Sequence, residues 1–115
     1  PCGPLQQGIE ESDNCFPMPE SILPNGDYFI LEARGDSMIE AGIEEGDYVL
    51  VRKQPTANEG EVVVALIEGE STIKRIHFDD ANRAIVLKPE NSQYEAHSYR
   101  NLDIQGVAIR VIKKL

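Results

Sequence analysis

One serine, Ser37, stands between Asp36 and Met38 in the stretch ARGDSMIEAGIEEGDYVLV (33–51), just past an apolar run. A serine hydroxyl is a weak nucleophile at neutral pH and attacks a carbonyl only when a neighbour takes its proton. The sequence offers few such neighbours. Its two histidines, His77 and His97, sit in no pattern that marks either as the base of a Ser-His-Asp triad. A lysine can serve instead, because burial disfavours the ammonium form and lowers the pKa. Among the lysines, Lys74 in S-T-I-K-R-I suits this best, with Ile73 and Ile76 nearby on a segment expected to be a strand with one buried face. Alternation does not decide its direction, since Lys74 shares a face with Thr72 and Ile76 while Ile73 and Arg75 lie on the other. A solvent-facing lysine is the plain alternative. For Ser37 the plain alternative is a turn or helix N-terminus, in which Asp36 or Ser37 caps free amides.

Other chemistries find less support. Two histidines and two distant cysteines match no metal-ligand spacing, so no metal and no cofactor is expected. Gly42 and Gly46 are not followed by lysine and a hydroxyl in the register of a phosphate-binding loop. The formal charge of -9 repels phosphate backbones and anionic lipids, so these 115 residues should not bind DNA by themselves. No apolar run approaches the roughly 20 residues that cross a bilayer, and no signal-peptide layout opens the chain. Cys2 and Cys15 form no disulfide framework; both are read as reduced, which implies a cytoplasmic protein with no membrane partner.

The elements that must position Ser37 and Lys74 are mostly strands. Residues 1–27 hold five of the seven prolines and read as an irregular arm. From Tyr28 onward, β-branched and aromatic runs recur between turn signals: Tyr28–Ala33, Tyr48–Arg52, Glu61–Ile67, Ser71–Phe78, Ala84–Lys88 and Val107–Ile112. No window carries a helical period, so only one turn is expected, over Ser37–Ala41. Ile67-Glu68-Gly69-Glu70-Ser71 reads as a tight hairpin that sets Lys74 a few residues into its second strand. The spacing predicts one compact, mostly β, antiparallel domain over 28–115, with at most a short helical turn at the serine.

Several linked motifs carry a resemblance. GDSM (35–38), AGI with EGDYVLV (41–51), NEGEVVVALIEGESTIKRI (58–76), LKPENSQY (87–94) and LDIQGVAIRVIKKL (102–115) are similar, in order, to the C-terminal peptidase domain of LexA and UmuD. The resemblance implies a β fold shared with signal peptidase and a self-cleaving serine endopeptidase. Ser37 falls on the nucleophile and Lys74 on the general base. Cys2-Gly3 matches the scissile bond, which makes 1–27 the arm that carries the cleavage site and 28–115 the peptidase and dimerisation domain. Backbone amides of Ser37 and Met38 are the expected oxyanion donors, and Met38 is also read as lining the cleft or the core.

The resemblance further implies a homodimer, a RecA filament on single-stranded DNA as the stimulus, and DNA contact only through an N-terminal domain that this sequence does not include. The terminal run GVAIRVI reads equally as a dimerising edge or as a core strand of the monomer. A LexA-type repressor is the first expectation for the parent. A UmuD-type polymerase subunit, towards which Cys-Gly leans, and a phage-type repressor are the alternatives, as is a non-catalytic dimerisation module. Signal peptidase itself fits poorly, because R-I-H-F-D-D-A-N does not supply its motif after the lysine.

Overall fold

The computed structural model describes residues 23–115. Seven strands form one antiparallel sheet: β1 (Tyr28–Glu32), β2 (Tyr48–Lys53), β3 (Val62–Ile67), β4 (Glu70–Asp79), β5 (Ala84–Lys88), β6 (His97–Tyr99) and β7 (Asp103–Ile112). Their spatial order is β1-β2-β7-β3-β4-β5-β6. The mostly β, antiparallel reading therefore holds. Sequence signals missed β6, a three-residue strand with His97 and Ser98 exposed, and the first four residues of β7, where Gln105 and Gly106 interrupt the apolar pattern.

The last strand by sequence is central in space. β7 pairs with β2 on one side and with β3 on the other, so GVAIRVI is a core strand over its first half. Beyond Val107 the β3 pairing ends, and among the described residues Ala108–Ile112 pair only with β2. Gly106 explains how the two neighbours fit. A methyl group there would sit 2.3 Å from the Arg52 carbonyl oxygen and 2.6 Å from a Val51 methyl, so only glycine allows the approach of β7 to β2.

Side chains from β3 alternate into two clusters. Val64 joins Ile30, Val49, Leu50 and Val51 with residues of the β1–β2 connection, whereas Val63 and Ala65 join Ile76, Leu87 and Val107. The unbroken run VVVALI is thus what a strand covered on both faces requires. Glu68 (φ 50°) and Gly69 (φ 83°) make the two-residue β3–β4 turn, in which both backbone positions are left-handed as the right-handed strand twist demands. That turn fixes the register that sets Lys74 opposite Val63.

Candidate active site

Ser37 sits in the connection between β1 and β2, residues 33–47, whose two ends are locked together. The Ala33 amide donates to the Asp47 carbonyl (2.8 Å) and the Gly46 amide to the Ala33 carbonyl (2.9 Å). Asp47 anchors the base of the loop from a buried position, 1 % exposed. Its carboxylate accepts from Lys113 Nζ, from the Glu44 amide (2.8 Å) and from the Lys114 amide (3.2 Å). The Lys113 hydrogen bond, helped by the Glu44 amide, lowers the Asp47 pKa to about 2. Inside the loop Met38 and Ile43 are buried in the first apolar cluster, each 4 % exposed, and they drive the connection onto the sheet. Met38 also lines the cleft.

The expected helical turn is a single 3-10 turn over Ile39–Ala41, closed by Gly42 in the left-handed conformation (φ 83°). Ser37 and Met38 precede it, and no side chain caps it. The capping role considered for Asp36 or Ser37 therefore falls away. Three residues also add no useful macrodipole, so any oxyanion stabilisation here would come from individual amides rather than from a helix end. Among the described residues, the Ser37 and Met38 amides donate to no carbonyl or side chain.

Lys74 reaches this turn from β4. Its Nζ lies 2.9 Å from Ser37 Oγ, 2.8 Å from Thr72 Oγ1 and 3.1 Å from the Ile73 carbonyl oxygen. Three oxygens match the three donors of an ammonium. They match a neutral amine as well: two N–H groups donate to Thr72 and Ile73, and the lone pair is left to accept the Ser37 hydroxyl proton. Burial lowers the Lys74 pKa below the usual 10.5, and no carboxylate among the described residues bonds the amine to offset it. Thr72 shares a face with Lys74, as strand alternation requires, but its hydroxyl was not among the expected site residues.

Ser37, Met38 and Lys74 open onto a cleft of roughly 580 Å³ walled by Leu31, Ala33, Leu66 and the β3–β4 turn. A second cleft of roughly 470 Å³, bordered by Leu87, Pro89, His97 and Tyr99, shares Thr72 and Lys74 with the first. The histidines are not bonded to the serine. His77 Nδ1 pairs with Glu59 (2.5 Å), and His97 is exposed on β6. Among the described residues no cluster of three or more histidine, cysteine, aspartate or glutamate side chains could hold a metal, and no helix is long and apolar enough to cross a membrane. Cys2, Gly3 and Cys15 lie outside the described residues.

The segment 90–94 also touches the turn that carries Ser37, which the residues alone did not foretell. The Asn91 amide nitrogen donates to the Asp36 carbonyl (2.8 Å), and the Tyr94 hydroxyl donates to the Asp36 carboxylate (2.5 Å). The motif LKPENSQY was visible, but a loop 50 residues on in the chain carries no local signal of what it will contact.

Two comparisons bear on this arrangement. The family described as Peptidase S24-like matches residues 2–109. A LexA repressor of Nocardioides sp. is 42 % identical over 106 residues, which cover 92 % of this chain and 42 % of that protein. LexA repressors of Alkaliphilus oremlandii (43 % over 106 residues, 92 % and 50 %) and Corynebacterium glutamicum (42 % over 110 residues, 96 % and 45 %) are similar to the same degree. The chain spans half or less of the length of these relatives.

Proposed function

The chain belongs to the peptidase S24-like family as a LexA-type C-terminal peptidase domain, and from that premise we propose that it cuts its own Cys2-Gly3 bond with Ser37 as nucleophile and Lys74 as general base. The observation that carries the reading is the 2.9 Å contact between Lys74 Nζ and Ser37 Oγ, made by a lysine whose charge is disfavoured by burial. Neutral Lys74 takes the hydroxyl proton as Ser37 Oγ adds to the Cys2 carbonyl carbon. The tetrahedral adduct collapses, the C–N bond breaks, and the Gly3 amine leaves with the proton from Lys74. Water, deprotonated by Lys74, then attacks the acyl-serine, releases the Cys2 carboxylate and restores the serine hydroxyl. Amides of Ser37 and Met38 are the proposed oxyanion donors.

Chain length supports cleavage within one molecule. The 20 residue-to-residue steps from Gly3 to Leu23 can extend to about 66–72 Å, against a longest dimension of 45 Å for the fold. The arm 1–27 then acts as substrate and 28–115 as peptidase and dimerisation domain. A RecA filament on single-stranded DNA would raise the rate by favouring the docked arm, since the rate is proportional to the docked fraction. The parent we favour is a cytoplasmic LexA-like repressor of the DNA-damage response, in which DNA contact falls to a part of the protein outside these residues. For the homodimer, the β7 edge over Ala108–Ile112 supports strand pairing with a second copy, with Ile109 and Val111 exposed beside it.

Intact mass over time on the protein expressed from its natural start, as wild type, Ser37→Ala and Lys74→Ala, with and without an activated filament, tests the reading. The expected result is one cut at Cys2-Gly3 that both substitutions abolish. A cut that survives Ser37→Ala overturns the assignment. The absence of any cut would instead favour the dimerisation module, and the size of the released piece separates a repressor from a UmuD-type subunit.

A further inference from the structure

The nucleophile turn has little of its own to hold it. Arg34, Gly35 and Asp36 are exposed, Gly35 is left-handed (φ 73°), and no strand ladder runs through residues 33–38. Among the described residues, two bonds tie its crest to its own connection: the Gly35 amide to Glu45 Oε1 (2.9 Å) and the Ile39 amide to the Asp36 carbonyl (3.2 Å). What holds it from the other side is the segment Glu90–Tyr94. Five hydrogen bonds run between the two: Glu40 amide to Glu90 carbonyl (2.8 Å), Glu90 amide to Met38 Sδ (3.3 Å), Asn91 Nδ2 to Asp36 carbonyl (2.8 Å), Ser92 amide to Glu40 Oε2 (2.9 Å) and Tyr94 hydroxyl to Asp36 Oδ1 (2.5 Å).

The same segment is tied to the strand that carries the lysine. Arg75, next to Lys74, donates from Nε to Glu90 Oε1 (3.2 Å) and from Nη1 to the Gly60 carbonyl (2.7 Å). A ring of bonds therefore runs from Ser37 through Asp36, the 90–94 segment and Arg75 to Lys74, and the 2.9 Å contact of Lys74 with Ser37 closes it. We propose that Tyr94 and Asn91 are positioning residues for Ser37, which hold the Asp36 carboxylate and carbonyl and so set the serine at bonding distance from Lys74. The proposal rests on the Ser-Lys reading above. Neither residue touches the reacting atoms; both act through Asp36.

Their burial separates the two. Asn91 is 8 % exposed and also accepts from the Gln93 amide, so its loss would disturb the loop as well. Tyr94 is 49 % exposed, and its hydroxyl can be removed with little cost to the fold. The Asp36 bond raises the Tyr94 pKa, whereas burial lowers that of Lys74, so the two titrations are moved in opposite directions.

The test is filament-free self-cleavage of the full-length protein as a function of pH, alongside thermal melting. Tyr94→Phe should lower the plateau rate about fivefold, the worth of one partly exposed charge-assisted hydrogen bond. The pH midpoint should not move, because Lys74 keeps its surroundings, and the melting temperature should stay within about 2 °C. Asp36→Ala should lose as much, and the double variant no more than either single, since both remove one bond. Asp36→Asn, which keeps an oxygen for the tyrosine, should recover most of the rate. A Tyr94→Phe plateau within twofold of wild type, or a rate loss matched by lost melting temperature, overturns the proposal. Ser37→Ala run in parallel distinguishes that failure from failure of the peptidase reading, in which Ser37→Ala would still be cut.

Discussion

If Lys74 takes the Ser37 proton, self-cleavage must follow the neutral fraction of its amine. The amine meets three uncharged oxygens and no described carboxylate, so burial alone sets the direction of its pKa, downward from 10.5. Below the folded pKa the rate should therefore rise about tenfold per pH unit, then flatten as the amine becomes neutral. The same shift fixes a sign for stability. Between the folded pKa and 10.5 the unfolded chain holds more protons than the folded one, so stability rises with pH across that window and is lowest below it. Lys74→Met should then do two opposite things. It should cut the self-cleavage rate by about 10²–10⁴, the usual worth of a general base. At neutral pH it should also be more stable than the lysine form, by a margin that closes as pH approaches 10.5, because the charge that must be desolvated is gone. Rates come from intact mass, and stabilities from urea titration in a Ser37→Ala background so that no cleavage intervenes. A rate independent of pH while Ser37 is still required, or a Lys74→Met protein that cleaves normally, would refute the base assignment.

Other substitutions test the frame around the dyad. Gly106→Ala places a methyl 2.3 Å from the Arg52 carbonyl, which only separation of β7 from β2 can relieve; overpacking plus one or two strained ladder bonds should cost about 3–5 kcal/mol and lower the melting temperature by roughly 10–20 °C. Lys113→Met removes the main cause of the depressed Asp47 pKa, so its stability deficit should be full above pH 3.8 and vanish as pH falls through about 2, read by urea midpoints across that range. Thr72→Val keeps the shape but removes one acceptor from Lys74, and should slow self-cleavage about fivefold with little change in melting temperature.

Periodicity and turn chemistry made most of the fold legible. Strands β1 to β5 were each found by β-branched or aromatic runs between turn residues, and Glu68-Gly69 fixed the hairpin because only a left-handed pair fits a two-residue turn. β6 escaped because a three-residue strand of His97, Ser98 and Tyr99 has no length in which a period can show. The position of β7 at the centre of the sheet escaped for another reason: strand order is set by long-range pairing with β2 and β3, which no local pattern encodes. At the site, types and spacing singled out Ser37 and Lys74, and Thr72 was within reach as the same-face neighbour two positions before the lysine. Asn91 and Tyr94 were not, since their partner Asp36 is 55 and 58 residues away.

The distribution of rigidity suits the proposed Ser-Lys chemistry. A lysine base works only where its charge is unwelcome, so it needs a packed strand at its back, and Lys74 has one in β3 with Val63 and Val64 fully buried. A serine that must meet an incoming chain needs exposure, so it sits on a turn whose crest residues face solvent and whose position is borrowed from bonds to the 90–94 segment. On the proposed mechanism two independent fractions would multiply to give the rate: how often the arm is docked, and how often the amine is neutral. Because Lys74 already lies 2.9 Å from Ser37 in this structure, a stimulus of the proposed reaction would need to act only on the arm.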